Sequence, residues 1–427
     1  MLRTLLRNPF LYSIITKVGI AFFGVLNTVF INRLLGPTLR GEYIYIINIV
    51  NLVTLVLKLG IHHSYPYFKR KSTDNIESKY INNIIFLLLF YLFISLILSA
   101  IFRNATLTIV FTLIPLTVVS RQLNFVVMIE NINLRNKIIL WTEFMYTLGL
   151  LTVFLLSIRK LPILFLLLYL RTIAQSLTVV KVFKLKISIR FIDLKLMLES
   201  IKVGFISMLS LLMITLNYKL DVLILKLFTD YTQIGLYSVG ALLAEQAWLI
   251  SDAFKEVLFS KSAKKDNANE IAMSLKINIV ITLFMFLIIA VFGEFIITIL
   301  FGKEFAGAYS VTAILFAGIM GMVMYKMIYP LFLASGKQKT CLVILTVSVV
   351  VNAIFNFVLI PKLGIIGSAA ASVISYNTCG WIFLIIFCRQ YKLNPLKTII
   401  PSLQDISKLK NTLSTKMKYK SGEYSYE

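Results

Sequence analysis

The sequence is poor in the side chains that build reactive centres. It has two histidines and three cysteines in 427 residues. His62 and His63 are neighbours, with nothing beside them at a metal-ligand spacing, and they read as residues at the end of a membrane span. Cys341, Cys379 and Cys388 fit neither a metal site nor a disulfide framework and read as small core residues. The chain has no Gly-rich phosphate loop, no GxSxG and no triad pattern. It is therefore expected to be no enzyme, to hold no cofactor or metal, and to draw on a gradient or on substrate supply if it moves anything. Acid is scarce too: 19 Asp and Glu stand against 43 Lys and Arg, a formal net charge of +24.

Apolar residues make up 59% of the chain, and its mean hydropathy is +0.87. A soluble protein of this size cannot bury that much apolar surface. Apolar runs of about 20 residues recur along the length, each long enough to cross a bilayer as a helix. Membrane strands would show shorter runs of alternating polarity. The expected fold is all-α and membrane-integral, with twelve spans near 10–32, 43–62, 81–102, 106–130, 138–158, 162–182, 203–227, 234–259, 276–300, 307–333, 340–360 and 365–388. The opening MLRTLLRNPF leads into a full-length apolar run without a small-residue cleavage site, so the first helix is expected to stay in the membrane.

The basic residues set the orientation. With the N-terminus inside, the inner connections and termini hold at least 25 of the 43 and the outer connections hold 7. That bias obeys the positive-inside rule and puts both termini in the cytoplasm. It also explains the net charge by topology and anionic-lipid contact rather than by nucleic acid. The expected organisation is an N-terminal six-helix lobe (1–182), a basic surface linker (183–202), a C-terminal six-helix lobe (203–388) and a basic tail (389–427).

A short echo relates the two halves. Residues 33–45 read RLLGPTLRGEYIY and residues 226–238 read KLFTDYTQIGLYS, which pairs Arg33 with Lys226, Gly41 with Gly235 and Tyr43 with Tyr237. Six crossings return a chain to its starting side, so the halves are expected to be parallel repeats about an axis along the membrane normal. The echoed turn is then the outer connection of spans 1–2 and again of spans 7–8.

The alignment also pairs polar stripes. Span 1 carries Ser13, Lys17, Gly24 and Thr28, and span 7 carries Ser210, Asn217 and Asp221. Span 2 carries Asn51, Lys58 and His62, and span 8 carries Glu245, Asp252 and Glu256 at the same spacing. Ionisable groups inside a membrane usually face a cavity or a partner helix. The four stripes are therefore expected to line one central cavity, basic on one side and acidic on the other. Lys17, Asn51, Lys58, Arg121, Arg171 and Asn217 are the expected substrate contacts. Asp221, Glu245 and Asp252 are the expected coupling groups, able to take a proton or Na⁺. Structural pairing between helices is the competing reading for each, and Lys219, two residues from Asp221, is expected to point to another face.

Three stretches in register carry a family resemblance: RLLGPTLRGEYIYIINIVNLVTLVLKLGI (33–61), DVLILKLFTDYTQIGLYSVGALLAEQ (221–246) and FVLIPKLGIIGSAAASVISY (357–376). Together they resemble the polysaccharide-repeat-unit flippases, the Wzx-type O-antigen and capsule transporters, over about residues 8–390. The resemblance implies two six-helix lobes around a central cavity lined mainly by spans 1, 2, 7 and 8. It also implies a cargo, an oligosaccharide on a polyisoprenyl diphosphate carried from the inner to the outer leaflet of a bacterial cytoplasmic membrane. The rival readings are a cation-coupled drug exporter, a peptidoglycan-precursor flippase, and a membrane polymerase or ligase. Basic groups in spans 1, 2, 4 and 6 argue against the exporter, and the absence of a large outer loop argues against the enzyme.

Overall fold

The computed structural model describes residues 9–71, 75–262 and 267–401, and those residues form helices and short connections without a strand. The stretch Pro9–Leu57 is two helices, because Gly36 has φ 65° and ψ 177°. These are α1 (9–35) and α2 (37–57). The rest of the first half is α3 (Ile61–Lys71), α4 (Ile76–Phe102), α5 (Ala105–Glu130), α6 (Ile132–Leu155) and α7 (Leu161–Val182). The second half has α8 (Leu194–Phe228), α9 (Tyr231–Gln246), α10 (Trp248–Ser262), α11 (Ala268–Phe301) and α12 (Ala308–Ala334). Gly364, with φ 56°, then divides Gln338–Tyr391 into α13 (338–363) and α14 (365–391), and α15 (Pro395–Ile399) follows. With α2 continued by α3, and α9 by α10, the described helices make twelve crossings.

The turns are tighter than the hydropathy pattern predicts. The expected connection over 33–42 shrinks to Gly36, whose positive φ reverses the chain, with Pro37 opening the next helix. Elsewhere Asn and Asp side chains start the helices. Asn104 accepts from Leu107 N at 3.1 Å, Asn131 from Leu134 N at 3.0 Å, Asp193 from Leu196 N at 2.9 Å and Asp230 from Gln233 N at 2.9 Å. The cap at Asp193 corrects the predicted linker. Helix α8 begins at Leu194 and runs unbroken into the membrane span, so only residues 183–193 connect the lobes. Two asparagines of α4 hold that connection. Asn82 donates to Lys186 O and accepts from Ser188 N, each at 2.8 Å. Asn83 donates to Asp193 O at 3.0 Å and accepts from Asp193 N at 2.9 Å.

Each half has its own apolar core. One runs from Ile31 to Leu196 in sequence, the other from Ile214 to Ile399. Between them the lobes meet backbone to backbone at glycines. At the end carrying the echoed turns, a Cβ on Gly41 would sit 1.7 Å from Tyr231 O, and one on Gly235 would sit 2.0 Å from Pro37 O. Thr38 and Thr232 join their hydroxyls across this seam at 2.9 Å. Arg33 donates to the last carbonyls of α11, to Leu300 O at 2.9 Å and to Ile299 O. The two copies of the turn are thus docked on each other. At the opposite end, near the linker, Gly60 and Gly204 make a second close contact, where α2 breaks into α3.

Candidate functional site: an arginine-lined cavity and a sealed acid

The N-terminal lobe holds a half-open cavity of about 490 Å³ between α2, α5, α6 and α7, and Arg121, Arg135 and Arg171 all line it. Their compensation differs. Arg171 forms an ion pair with Glu143 of α6, whose other oxygen faces the amide of Asn27 of α1 at 3.4 Å. Arg121 donates to Asn51, and Arg135 donates to Asn136 at 2.9 Å. Among the described residues, neither has a carboxylate partner. Lys58 lies at the foot of α2, almost wholly buried, and its carbonyl accepts from Gln122 of α5 at 2.8 Å. Guanidinium groups that line one cavity with neutral hydrogen-bond partners leave positive charge for an anion to neutralise. The planar fork also suits phosphate oxygens in pairs.

The C-terminal lobe does the reverse. Asp221 is 1% exposed and accepts from Tyr237 OH at 2.6 Å, Ser372 Oγ at 2.5 Å and Asn356 Nδ2 at 2.8 Å. These donors come from α9, α14 and α13. Asn217, four residues earlier on α8, accepts from Ser375. No Lys or Arg pairs with this carboxylate among the described residues. Its charge is met by hydrogen bonds from small polar groups. The surrounding oxygens of Asn352, Asn356 and Ser372 are of the kind that hard cations take. Among the described residues, no group of three or more His, Cys, Asp or Glu could hold a metal ion.

The structure thus divides the predicted site. It brings Asn51, Arg121 and Arg171 together on one cavity. Asn217 and Asp221 are enclosed within the second lobe rather than facing the space between lobes. Glu245 pairs with Lys219 at 2.7 Å and Asp252 with Lys326 at 2.7 Å. Lys219 thus meets Glu245 of α9, on a different face of α8 from Asp221. Lys17 is exposed on α1 and is not part of the cavity lining. Of the other stripe residues, Thr28 bonds Gly24 O of its own helix at 3.0 Å, and the side chains of Ser13 and Glu256 lie outside the described residues. The cavity around Arg121 draws on spans 2, 4, 5 and 6, a different set from the spans 1, 2, 7 and 8 expected to line a central cavity. Helical spacing fixes which residues share a face, not which neighbour that face meets. Glu143, Asn27 and Arg135 were missed. A lone glutamate in LWTEFMYTLGL (140–150) was a legible signal, because an acid there must have a partner.

Two lobes of six membrane helices each, one with a charged cavity, describe an all-α integral membrane protein with a polar site among its spans. The chain belongs to the polysaccharide biosynthesis protein family, whose model matches residues 5–247, and the model of the lipid II flippase MurJ matches residues 172–416. These are families of transporters rather than catalysts. An uncharacterized membrane protein of Methanocaldococcus jannaschii is 30% identical over 151 residues, covering 35% of this chain and 28% of the relative. The probable low-salt glycan biosynthesis flippase Agl15 of Haloferax volcanii is 29% identical over 165 residues, covering 37% of this chain and 35% of the relative. The match thus spans about a third of each of these relatives. Among solved structures, the lipid II flippase MurJ in an inward closed conformation superposes with a TM-score of 0.72 at 16% identity, over 98% of this chain and 94% of that one. An inward-facing multidrug transporter of the multidrug/oligosaccharidyl-lipid/polysaccharide exporter (MOP) superfamily gives 0.69 at 12% identity, over 87% and 94%. These likenesses show a shared fold.

Proposed function

We propose that this protein flips an oligosaccharide carried on a polyisoprenyl diphosphate across the membrane by alternating access. The observation that carries the reading is the pair Arg121 and Arg135, two guanidinium groups without acid partners on one cavity. A diphosphate supplies the compensating charge, the sugar occupies polar space, and the prenyl chain stays in lipid. The glycan flippase among its relatives supports a saccharide cargo. An O-antigen or capsular repeat unit is the specific cargo proposed. The cavity's positive charge weighs against an organic cation. In this reading the cargo enters from the cytoplasmic leaflet of a bacterial inner membrane and both termini lie in the cytoplasm, as the charge bias in the sequence indicates.

Asp221 is the proposed coupling group. A proton or Na⁺ arriving there changes the charge of a buried hydrogen-bonded cluster that ties α8 to α9, α13 and α14. A second reading, peptidoglycan-precursor flipping, is favoured by the match of the second half to the lipid II flippase model.

Depletion in the native host separates these readings. Lipid-linked oligosaccharide is assayed by leaflet and rescued with wild type or Arg121→Gln made at equal levels. Accumulation on the cytoplasmic side that wild type clears and Arg121→Gln does not supports the proposal. Accumulation of the peptidoglycan precursor instead supports the second reading. Altered sensitivity to cationic dyes with no lipid-linked saccharide accumulating sinks both.

A further inference from the structure

Arg40 stands outside the cavity lining, yet it is the most enclosed arginine of the N-terminal lobe, with 6% of its surface exposed. Its Nε has no hydrogen-bond partner, and no carboxylate pairs with it among the described residues. What it has is aromatic. The guanidinium lies 5.6 Å from the ring centroid of Tyr43. A cation–π contact offsets only a small part of the cost of a buried, unpaired cation. Such a group in a membrane protein points to function.

Tyr43 connects Arg40 to the site already described. Its ring packs on Arg40, and it shares the cavity wall with Arg171. Arg171 in turn lies 5.1 Å from the ring of Tyr146. Tyr43 therefore stands between the cavity and a concealed arginine, and Tyr146 packs on the cavity arginine. Arg40 is also next to Gly41, whose backbone meets Tyr231 in the seam between the lobes. Parting that seam removes the second lobe from the residue beside Arg40. The arginines follow one another along the lobe, with Arg135 near the linker end of α6, Arg121 and Arg171 within their spans, and Arg40 at the turn end of α2.

We propose that Arg40 is a second anion station, screened by Tyr43, to which the phosphate head of the cargo passes from Arg171 when the lobes part at Gly41 and Gly235. This rests on the reading of the arginine-lined cavity as a diphosphate site. The station is closed while the seam is closed, so the cargo head meets the cavity first and Arg40 last. The attraction of Arg40 draws the head outward, and hydration of the parted lobes weakens it for release.

The test uses the full-length protein in vesicles, with farnesyl diphosphate as the probe. A Thr38→Cys/Thr232→Cys disulfide locks the seam, and Gly235→Ala holds it apart. Arg40→Gln is expected to weaken probe binding about tenfold in the parted protein and less than about twofold in the locked one. Equal weakening in both states, or none in either, overturns the proposal, because a structural arginine does not distinguish them. Arg40→Lys keeps the charge without the fork and is expected to fall between wild type and Arg40→Gln in the parted state. Should Arg40→Gln not fold, Arg40→Lys matching wild type in the parted state overturns the proposal. No effect of Arg121→Gln in either state sinks the cavity reading itself, and the station with it.

Discussion

Replacing Gly235 by alanine tests whether the echoed turns are a moving seam. The added Cβ would lie 2.0 Å from Pro37 O and 2.8 Å from Pro37 C, where ordinary contact begins at 3.4 Å. It is about 1.4 Å too close to a backbone atom. No side-chain rotation can relieve this, so either the helices separate or the turn distorts. Forcing one methyl into such a contact costs roughly 1–3 kcal/mol. If the parted state does not feel that cost, the closed-to-parted ratio falls by about 5- to 150-fold. Cross-linking reads this directly. Thr38 and Thr232 face each other at 2.9 Å, so cysteines there oxidise readily while the seam is closed. In the Gly235→Ala background the oxidation rate is expected to drop about in proportion to the closed fraction. Gly41→Ala strikes the reciprocal contact, 1.7 Å from Tyr231 O, and the double variant is expected to cost less than the two single costs added. An unchanged cross-linking rate together with a lowered melting temperature would refute the reasoning, since the strain would then have been absorbed inside one lobe.

Other consequences follow from single contacts. Glu143→Ala leaves Arg171 without its acid and is expected to destabilise the protein by about 3 kcal/mol in thermal unfolding, with Arg171→Met in the same chain recovering most of the loss; no recovery would mean that Glu143 acts through Asn27 instead. Asp221→Asn preserves size and removes the charge. Vesicle flipping assays are expected to show transport that no longer responds to an imposed Na⁺ or proton gradient, and a gradient response equal to wild type removes Asp221 from coupling. Asn82→Ala with Asn83→Ala deletes four hydrogen bonds to the linker backbone, each worth about 1 kcal/mol. Limited proteolysis between residues 183 and 193 is expected to speed up at least tenfold, and an unchanged rate would show that packing of Phe183 and Leu185 on the first lobe suffices.

Much of the fold was written in local patterns. Apolar runs gave the crossings, and the echo in 33–45 and 226–238 gave the relation between halves. The docking of those turns on each other was not readable, because it depends on backbone approaching backbone at Gly41 and Gly235. The start of α8 was readable and missed. Asp193 precedes an apolar helix as an N-cap residue, and its sequence sits in a basic stretch that reads as a surface linker. The site was half legible. Spacing placed Asn51 and Lys58 on one face of span 2, and Glu245 and Asp252 on one side of α9 and α10. Which helix each face met was decided by packing across the lobe, and for Glu245 and Asp252 the answers were Lys219 and Lys326.

The paired tyrosines explain how one repeat came to hold two chemistries. Tyr43 and Tyr237 occupy matching places after matching turns. Tyr43 lies beside Arg40 and shares a cavity wall with Arg171, whereas Tyr237 donates to Asp221. A phenol suits both settings, since its ring face attracts a cation and its hydroxyl serves an anion. What differs is the compensation around it. Ser372, Asn356 and Tyr237 satisfy Asp221 from within, so that lobe can close around its charge. Arg121 and Arg135 have only amide oxygens, so the first lobe keeps a cavity and positive charge that a ligand must complete. Removing the internal donors should therefore make the second lobe resemble the first. Ser372→Ala with Asn356→Ala is expected to leave Asp221 in need of an external cation. Thermal stability should then rise with Na⁺ concentration by more than in wild type. A stability that falls equally at every Na⁺ concentration would show that the acid simply takes up a proton, and that the contrast between the lobes lies in the cavity alone.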